Sequence, residues 1–308
     1  MTPSRSSRAA GDTAAPAGRR VSRLARAGTV VVVVMVLAGA TYQGVTTSIE
    51  RHRYERLGGL VDGGGYQLHI YCTGEGAPTV ILEAAAGSMS PAWSLVQPEV
   101  GRITRVCSYD RSGLGWSEGD GRYVPSRVPS SLRTLLDQAN ETGPFVLVGH
   151  ELGAAFVRLF AARHTGDTAA LVLIDDPVAG RHALPHIPMA TAWPWLARIG
   201  LLRAAGGLSV EADGLGGRSA GAMRAFFNRP DHLTQAAREL LQSDEAVAAA
   251  RAVTLDRSIM VTSVVTGSHT VPALLVTPEA VTTATRAIAT TVARVRGRHD
   301  GEDTAVNP

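Results

Sequence analysis

A glutamate stands at the centre of a short, glycine-bounded turn in the middle of this chain. The turn runs from Gly149 to Gly153, after an apolar stretch of strand type and before a helical pattern of apolar positions. Glycines at this spacing permit a sharp strand-to-helix bend that lifts the side chain between them, where many enzymes carry a nucleophilic serine. Here that side chain is Glu151, between His150 and Leu152. A nucleophilic role needs an activating partner, so the chemistry of this position is open.

Acyl transfer at such a turn requires a histidine base that is oriented by an acid. Asp175 ends a later apolar strand and is a candidate acid, although a helix-cap or turn role fits it as well. The histidines considered as a base are each better explained by surface or packing roles: His69, His164, His182, His186, His232, His269 and His299. The same holds for the loop serines, which lack a strand–turn–helix context: Ser88, Ser112 and Ser117.

The composition favours one α/β domain with an appendage. The chain has 308 residues, is 45% hydrophobic and carries a formal charge of +3. Six arginines lie in residues 1–26 against the single acid Asp12, so the remainder is close to neutral and offers no broad basic face for nucleic acid. Pro185 between His182 and His186 opposes a helical metal pair, and we expect neither a metal nor a cofactor.

Residues 27–45 form an uncharged stretch that is long enough to cross a bilayer. The preceding arginines predict that residues 1–26, a disordered basic segment, stay cytoplasmic and that the main domain lies outside the cytoplasm. The alternative is secretion after cleavage of a signal peptide near Ala38-Gly-Ala40. An oxidising compartment would permit a disulfide between Cys72 and Cys107, but two buried thiols are equally consistent with the sequence.

Strands and helices alternate after a linker over 46–57, which predicts a parallel sheet covered by helices. We expect the core to comprise 58–176 and 271–295, with a seventh strand at Val271–Val276. Residues 177–270 show helical patterns without a convincing strand and predict a helical cap, and 296–308 form a charged tail. The aromatic residues of the cap fit either an apolar pocket beneath it or simple packing: Trp193, Trp195, Phe226 and Phe227.

Four segments in this order resemble the α/β-hydrolase superfamily, and in particular its membrane-anchored, extracytoplasmic members of actinobacterial type. The segments are 78–87, 109–117, 145–153 and 171–175. The resemblance implies a mostly parallel, eight-stranded sheet with a helical cap after the sixth strand. It also implies that the backbone N–H groups of Ala86 and Leu152 form an oxyanion hole.

The resemblance also indicates what is missing. Family members place their histidine after the eighth strand, whereas here the expected seventh strand runs almost directly into a helix led by Pro278 and Glu279. We therefore expect seven strands and the loss of the segment that would carry the histidine; divergence of that segment is the alternative.

Two hypotheses follow for Glu151. In the first, the carboxylate caps the helix N-terminus or fills the oxyanion hole, with Arg111 or His150 as its partner, and the protein is non-catalytic or weakly active. A small apolar ligand could then bind under the cap. In the second, the chain is an active hydrolase of an ester, epoxide or alkyl halide, with Glu151 as nucleophile or base. Asp110 and Arg111 are predicted to fix the loop that follows the fourth strand.

Overall fold

A seven-stranded mixed sheet forms the centre of the computed structural model, which describes residues 17–119, 121–180, 190–206, 212–267 and 274–306. The strand order is β1-β2-β4-β3-β5-β6-β7. The first two pairings, β1 with β2 and β2 with β4, are antiparallel, and the other four are parallel. The predicted α/β fold with seven strands is confirmed. The strands are Gly59–Asp62, Gln67–Thr73, Val80–Glu83, Val106–Tyr109, Phe145–His150, Thr168–Ile174 and Met260–Val264.

Helices cover both faces of this sheet, which explains why the central strands are apolar without alternation. On one face the core includes side chains of α2 (Gln97–Gly101) and α10 (Pro278–Val306). On the other face it includes side chains of α3 (Val128–Gln138) and α4 (Leu152–Arg163). Every residue of β3, β4 and β5 is buried, so the strand ends that carry the site belong to a rigid framework.

Among the described residues, five α-helices lie between β6 and β7, where a helical cap was expected, but the expected extent of that cap over 177–270 was wrong. The strand β7 lies inside the segment 177–270 and pairs in parallel with β6. Leu274–Val276 is not a strand, and residues 271–273 lie outside the described part. The sheet therefore resumes earlier than predicted, because β7 is an edge strand of alternating burial rather than an apolar run. The cap helices are α5 (Trp193–Arg198), α6 (Leu201–Ala204), α7 (Gly217–Phe226), α8 (Pro230–Leu241) and α9 (Ser243–Ala252).

The two cysteines are bonded to each other. Cys72 in β2 lies directly opposite Cys107 in β4, with their Cα atoms 4.0 Å apart. The disulfide therefore ties the antiparallel part of the sheet to the edge of the parallel part.

Both ends of the described chain are more helical than predicted. The helix α1 (Ala17–Arg53) includes the last part of the expected disordered N-terminus and most of the expected linker. Its Ala25–Arg53 portion is long and apolar enough to cross a membrane. At the other end α10 continues through the expected tail to Val306. The Arg296 side chain anchors this part of the helix by donating to the carbonyl oxygens of Ala77 (2.7 Å) and Ile103 (2.9 Å).

Candidate functional site

The turn between β5 and α4 has the backbone geometry of a nucleophile elbow. Glu151 has φ 51° and ψ −117°, a strained conformation for any residue except glycine. A Cβ on Gly149 would lie 2.5 Å from the carbonyl oxygen of Gly153, and one on Gly153 would lie 2.5 Å from that of Glu83. Only glycine fits at these two positions, so the bend depends on both of them.

The Glu151 carboxylate lies against two backbone amides. Its Oε2 accepts from the Ala86 N–H at 3.3 Å, and the Leu152 N–H is the second donor. These are the two groups that the family resemblance implies for an oxyanion hole. Burial raises the pKa of the Glu151 carboxyl, and the adjacent His150 and the two amides oppose that effect. An acidic side chain thus occupies the position in which an acyl-transfer enzyme stabilises negative charge.

Asp175 and His150 form a buried pair beside Glu151. The His150 Nε2 lies 3.5 Å from Asp175 Oδ2. Asp175 also accepts from the Thr266 backbone N–H at 2.8 Å and from the Thr266 hydroxyl. Burial acts to raise the pKa of Asp175, but the His150 and Thr266 contacts outweigh it and lower the pKa to about 2. Asp175 is therefore ionised at neutral pH, and it joins the carboxyl ends of β6 and β7.

Two of the histidines considered as bases are fixed by contacts at both ring nitrogens. The His232 Nδ1 accepts from the Gly115 N–H at 3.1 Å, and its Nε2 donates to the Gly87 carbonyl at 3.0 Å. Burial is the main reason why the pKa of His232 is lowered to about 4, so this ring is neutral. It supports the loop after β3 and has no free nitrogen to accept a proton.

His69 is held as firmly, with an oxygen acceptor at each ring nitrogen. Its Nδ1 lies 2.9 Å from Asp110 Oδ2, and its Nε2 contacts the Leu57 carbonyl at 2.5 Å. Burial acts to lower the pKa of His69, but Asp110 and the Leu57 carbonyl outweigh it and raise the pKa. Ser90, which the sequence did not single out, lies 3.4 Å from the same Nδ1, so the three side chains do not form a Ser-His-Asp relay.

The remaining candidates lie away from the elbow or have other contacts. His164 follows the far end of α4, and the positions of His182, His186 and His269 and the side chain of His299 lie outside the described residues. The Ser117 hydroxyl donates to the Asp110 carbonyl, and the Ser112 hydroxyl donates to the Glu118 carbonyl at 3.4 Å. Ser88 is buried, and its hydroxyl has no hydrogen-bond partner among the described residues. None of these serines occupies a strand-to-helix turn.

Arg111 is not the partner of Glu151. Its guanidinium is buried and donates to Glu83 at 2.5 Å and to Glu239 at 2.8 and 2.6 Å. It also donates to the carbonyl oxygens of Ala84 and Ala85 at 2.8 and 2.9 Å. Five N–H groups serve five acceptors, so Arg111 fixes the loop after β3 and links it to cap helix α8. Neither Glu83 nor Glu239 was recognised from the sequence.

The expected fold and the elbow geometry agree with the match to a family model. Residues 77–305 match the model described as the alpha/beta hydrolase family. The chain belongs to this family. That segment begins just before β3 and includes the elbow, the cap and most of α10.

The curated relatives of this alpha/beta hydrolase family member align with only part of the chain. It is 40% identical over 81 residues to an uncharacterized protein of Schizosaccharomyces pombe, covering 26% of this chain and 15% of that protein. It is 30% identical over 130 residues to an uncharacterized vacuolar membrane protein of Saccharomyces cerevisiae, covering 36% of this chain and 20% of that one. The chain thus aligns with a fifth or less of the length of these two relatives.

A solved structure supports the fold of this family member. An alpha/beta hydrolase fold protein from Burkholderia ambifaria matches 68% of this chain and 80% of its own, with a TM-score of 0.55 and 20% sequence identity. Identity at this level supports the architecture alone.

Two cavities of the hydrolase domain lie away from Glu151. A cleft of about 1330 Å³ separates the end of α1 from the cap and is lined by charged side chains such as Glu50, Arg51 and Arg229. A second cavity of about 430 Å³ lies between β2 and cap helix α7. Of the four aromatic residues considered for a pocket, Phe226 lines the cleft and Phe227 is buried in the cap. Trp193 is half-buried at the start of α5, and Trp195 is exposed.

Proposed function

We propose that this chain is a membrane-anchored hydrolase-fold protein that does not catalyse acyl transfer at its elbow. In this proposal Glu151 replaces the nucleophilic serine of the family, and its carboxylate blocks the oxyanion hole. The observation that carries the proposal is the contact of that carboxylate with the amides of Ala86 and Leu152. A substrate carbonyl would have to displace a side chain that is already in place.

The lack of a general base near residue 151 also supports the proposal that the elbow does not catalyse acyl transfer. Among the described residues, His69 and His232 are held at both ring nitrogens, and His150 directs its Nε2 towards Asp175. A general base must lie within hydrogen-bond reach of the proton that it removes. No described imidazole outside the elbow itself meets this condition at residue 151.

Restoring the serine tests this proposal directly. We expect that Glu151→Ser, in the purified full chain, will neither hydrolyse p-nitrophenyl butyrate nor react with a fluorophosphonate, because no base activates the hydroxyl. Covalent labelling would be measured by intact mass, with Glu151→Gln as the matched variant without a hydroxyl.

Two results would contradict the proposal. One is labelling of Glu151→Ser that disappears when His150→Ala is added, because His150 would then be a functional base. The other is turnover of an ester, epoxide or alkyl halide by the wild type that Glu151→Gln abolishes, which would establish Glu151 as nucleophile or base.

The structure also supports our proposal that α1 is retained as an anchor, with the hydrolase domain outside the cytoplasm. Six arginines precede the apolar run, which favours a cytoplasmic N-terminus. The helix α1 contacts the cap on both sides of the expected cleavage site: the Gly39 backbone lies against the Ile199 carbonyl, and the buried Gln43 side chain donates to the Asn228 carbonyl at 2.6 Å. Cleavage near residue 40 would remove part of this packed helix.

The 430 Å³ cavity is the place that we propose for a small apolar ligand under the cap. Its volume is within the range of small-molecule sites, and Tyr71, Trp116 and Ala222 contribute to its lining. We expect naphthalene at about 100 times its Kd to raise the midpoint of thermal unfolding by roughly 5 °C. Ser219→Trp, which fills the cavity, should abolish the rise, whereas Arg224→Trp on the exposed side of α7 should preserve it. An equal rise in both variants would exclude this cavity as the binding site.

A further inference from the structure

The helix α1 contacts the cap at Gly39, which lies within its apolar run of residues 27–45. A Cβ on Gly39 of α1 would lie 2.1 Å from the carbonyl oxygen of Ile199, and one on Gly200 would lie 2.7 Å from that of Gly39. Ile199 and Gly200 form the turn between α5 and α6. Glycines on both sides therefore allow the two backbones to touch.

Hydrogen bonds and an ion pair from cap helix α6 fix the position of α1 along its axis. Arg203 of α6 donates to Gln43 Oε1 at 3.0 Å and to both carboxylate oxygens of Glu50, at 2.5 and 2.9 Å. Gln43 and Glu50 lie about two turns apart on α1. The helix therefore cannot slide along its axis relative to α6 without breaking them.

The position of Gly39 sets the depth of this contact. An uncharged run that begins at Ala27 spans about 30 Å after roughly 20 residues, near Thr46. Gly39 precedes that point by about 10 Å along the helix axis. If α1 crosses a bilayer, the turn between α5 and α6 reaches below the level at which the hydrocarbon begins.

The side chains that flank the α5–α6 turn are of types that are favourable at a membrane interface. Trp195 is 68% exposed and Leu201 is 51% exposed. The exposure of Trp195 exceeds that of every large apolar side chain of α1 for which burial is described. The Arg198 guanidinium lies over the Trp195 ring at 4.9 Å. Tryptophan and arginine are favourable at the headgroup level, where the ring stays apolar and the charge meets phosphate.

We propose that the α5–α6 corner of the cap, comprising Trp195, Arg198 and Leu201, inserts into the headgroup and outer acyl region of the membrane that α1 crosses. The partner of this surface is lipid, and the inference rests on the proposed anchoring by α1. The hydrolase domain then has two membrane contacts and a fixed orientation on the bilayer.

Depth-dependent quenching tests this proposal. The two native cysteines are bonded to each other, so one added cysteine can be labelled selectively. The full chain carrying Leu201→Cys with an environment-sensitive fluorophore would be reconstituted in phosphatidylcholine nanodiscs that contain lipid spin-labelled near the glycerol. We expect emission to fall about two-fold, as for a group buried some 5–10 Å into the interface. The control is Ile103→Cys, an exposed apolar position before β4 at the opposite end of the sheet, which should not be quenched.

A label at Val33, within the apolar run of α1, separates the two proposals. Quenching of Val33→Cys by lipid spin-labelled at the chain end, without quenching at Leu201, would overturn the inserted corner and leave the anchor intact. No quenching at either position would overturn both. Adding Gly39→Leu, which forces α1 away from Ile199, should reduce the quenching at Leu201 and leave that at Val33 unchanged; no change at Leu201 would contradict the role of this contact.

Discussion

Arg111→Met is expected to lower the free energy of unfolding by about 3–5 kcal/mol, because it leaves buried carboxylates without their cation. Glu83 and Glu239 are both almost completely buried, and Arg111 lies between them. Burial raises the pKa of Glu83, and the charge of Arg111 opposes this rise. Without Arg111, either Glu83 must be protonated or the loop that carries Ala86 must open.

The measurement is urea unfolding of the full chain in nanodiscs, followed by tryptophan fluorescence. Arg102→Met is the matched control: Arg102 pairs with Glu99 at the surface, so its loss should cost no more than about 1 kcal/mol. Adding Glu239→Leu to Arg111→Met should recover part of the loss, since one uncompensated charge is removed. Equal effects of Arg111→Met and Arg102→Met would show that the buried network does not stabilise the loop.

The second large effect is expected from the disulfide. Replacing both Cys72 and Cys107 with alanine should cost about 3–4 kcal/mol, because the bond closes a loop between residues 35 positions apart and restricts the unfolded chain. The same urea titration would measure this loss. A reducing agent should lower the stability of the wild type to that of the double variant and should leave the double variant unchanged. A wild type that reductant does not affect would contradict the prediction.

The sequence predicted the parts of the fold that depend on local pattern. The elbow was recognisable because its two glycines follow a buried strand and precede an apolar helix face. The central strands were recognisable because a sheet covered on both faces needs uninterrupted apolar runs. The strand β7 was not recognisable, because its residues alternate between half-buried and exposed, whereas the more apolar Val271–Val276 has the composition of a buried strand.

The contacts that define the site could not be predicted, because they join distant parts of the chain. Arg111 meets Glu239 across 128 positions, and Arg203 meets Gln43 across 160. No periodicity indicates which of 30 arginines pairs with which acid. The extension of α1 through residues 46–53 was also missed, because this polar part is held by cap contacts such as that between Glu50 and Arg203 rather than by its own sequence pattern.

The contact between Glu151 and the two amides resembles an enzyme holding its own product. Ester hydrolysis releases a carboxylic acid, and here a carboxylate is attached to the backbone beside the donors that would receive it. A tethered group of this kind competes at an effective concentration of roughly millimolar or higher. Free carboxylic acids must therefore displace an intramolecular rival, and the elbow of this protein should be insensitive to the acids in its surroundings.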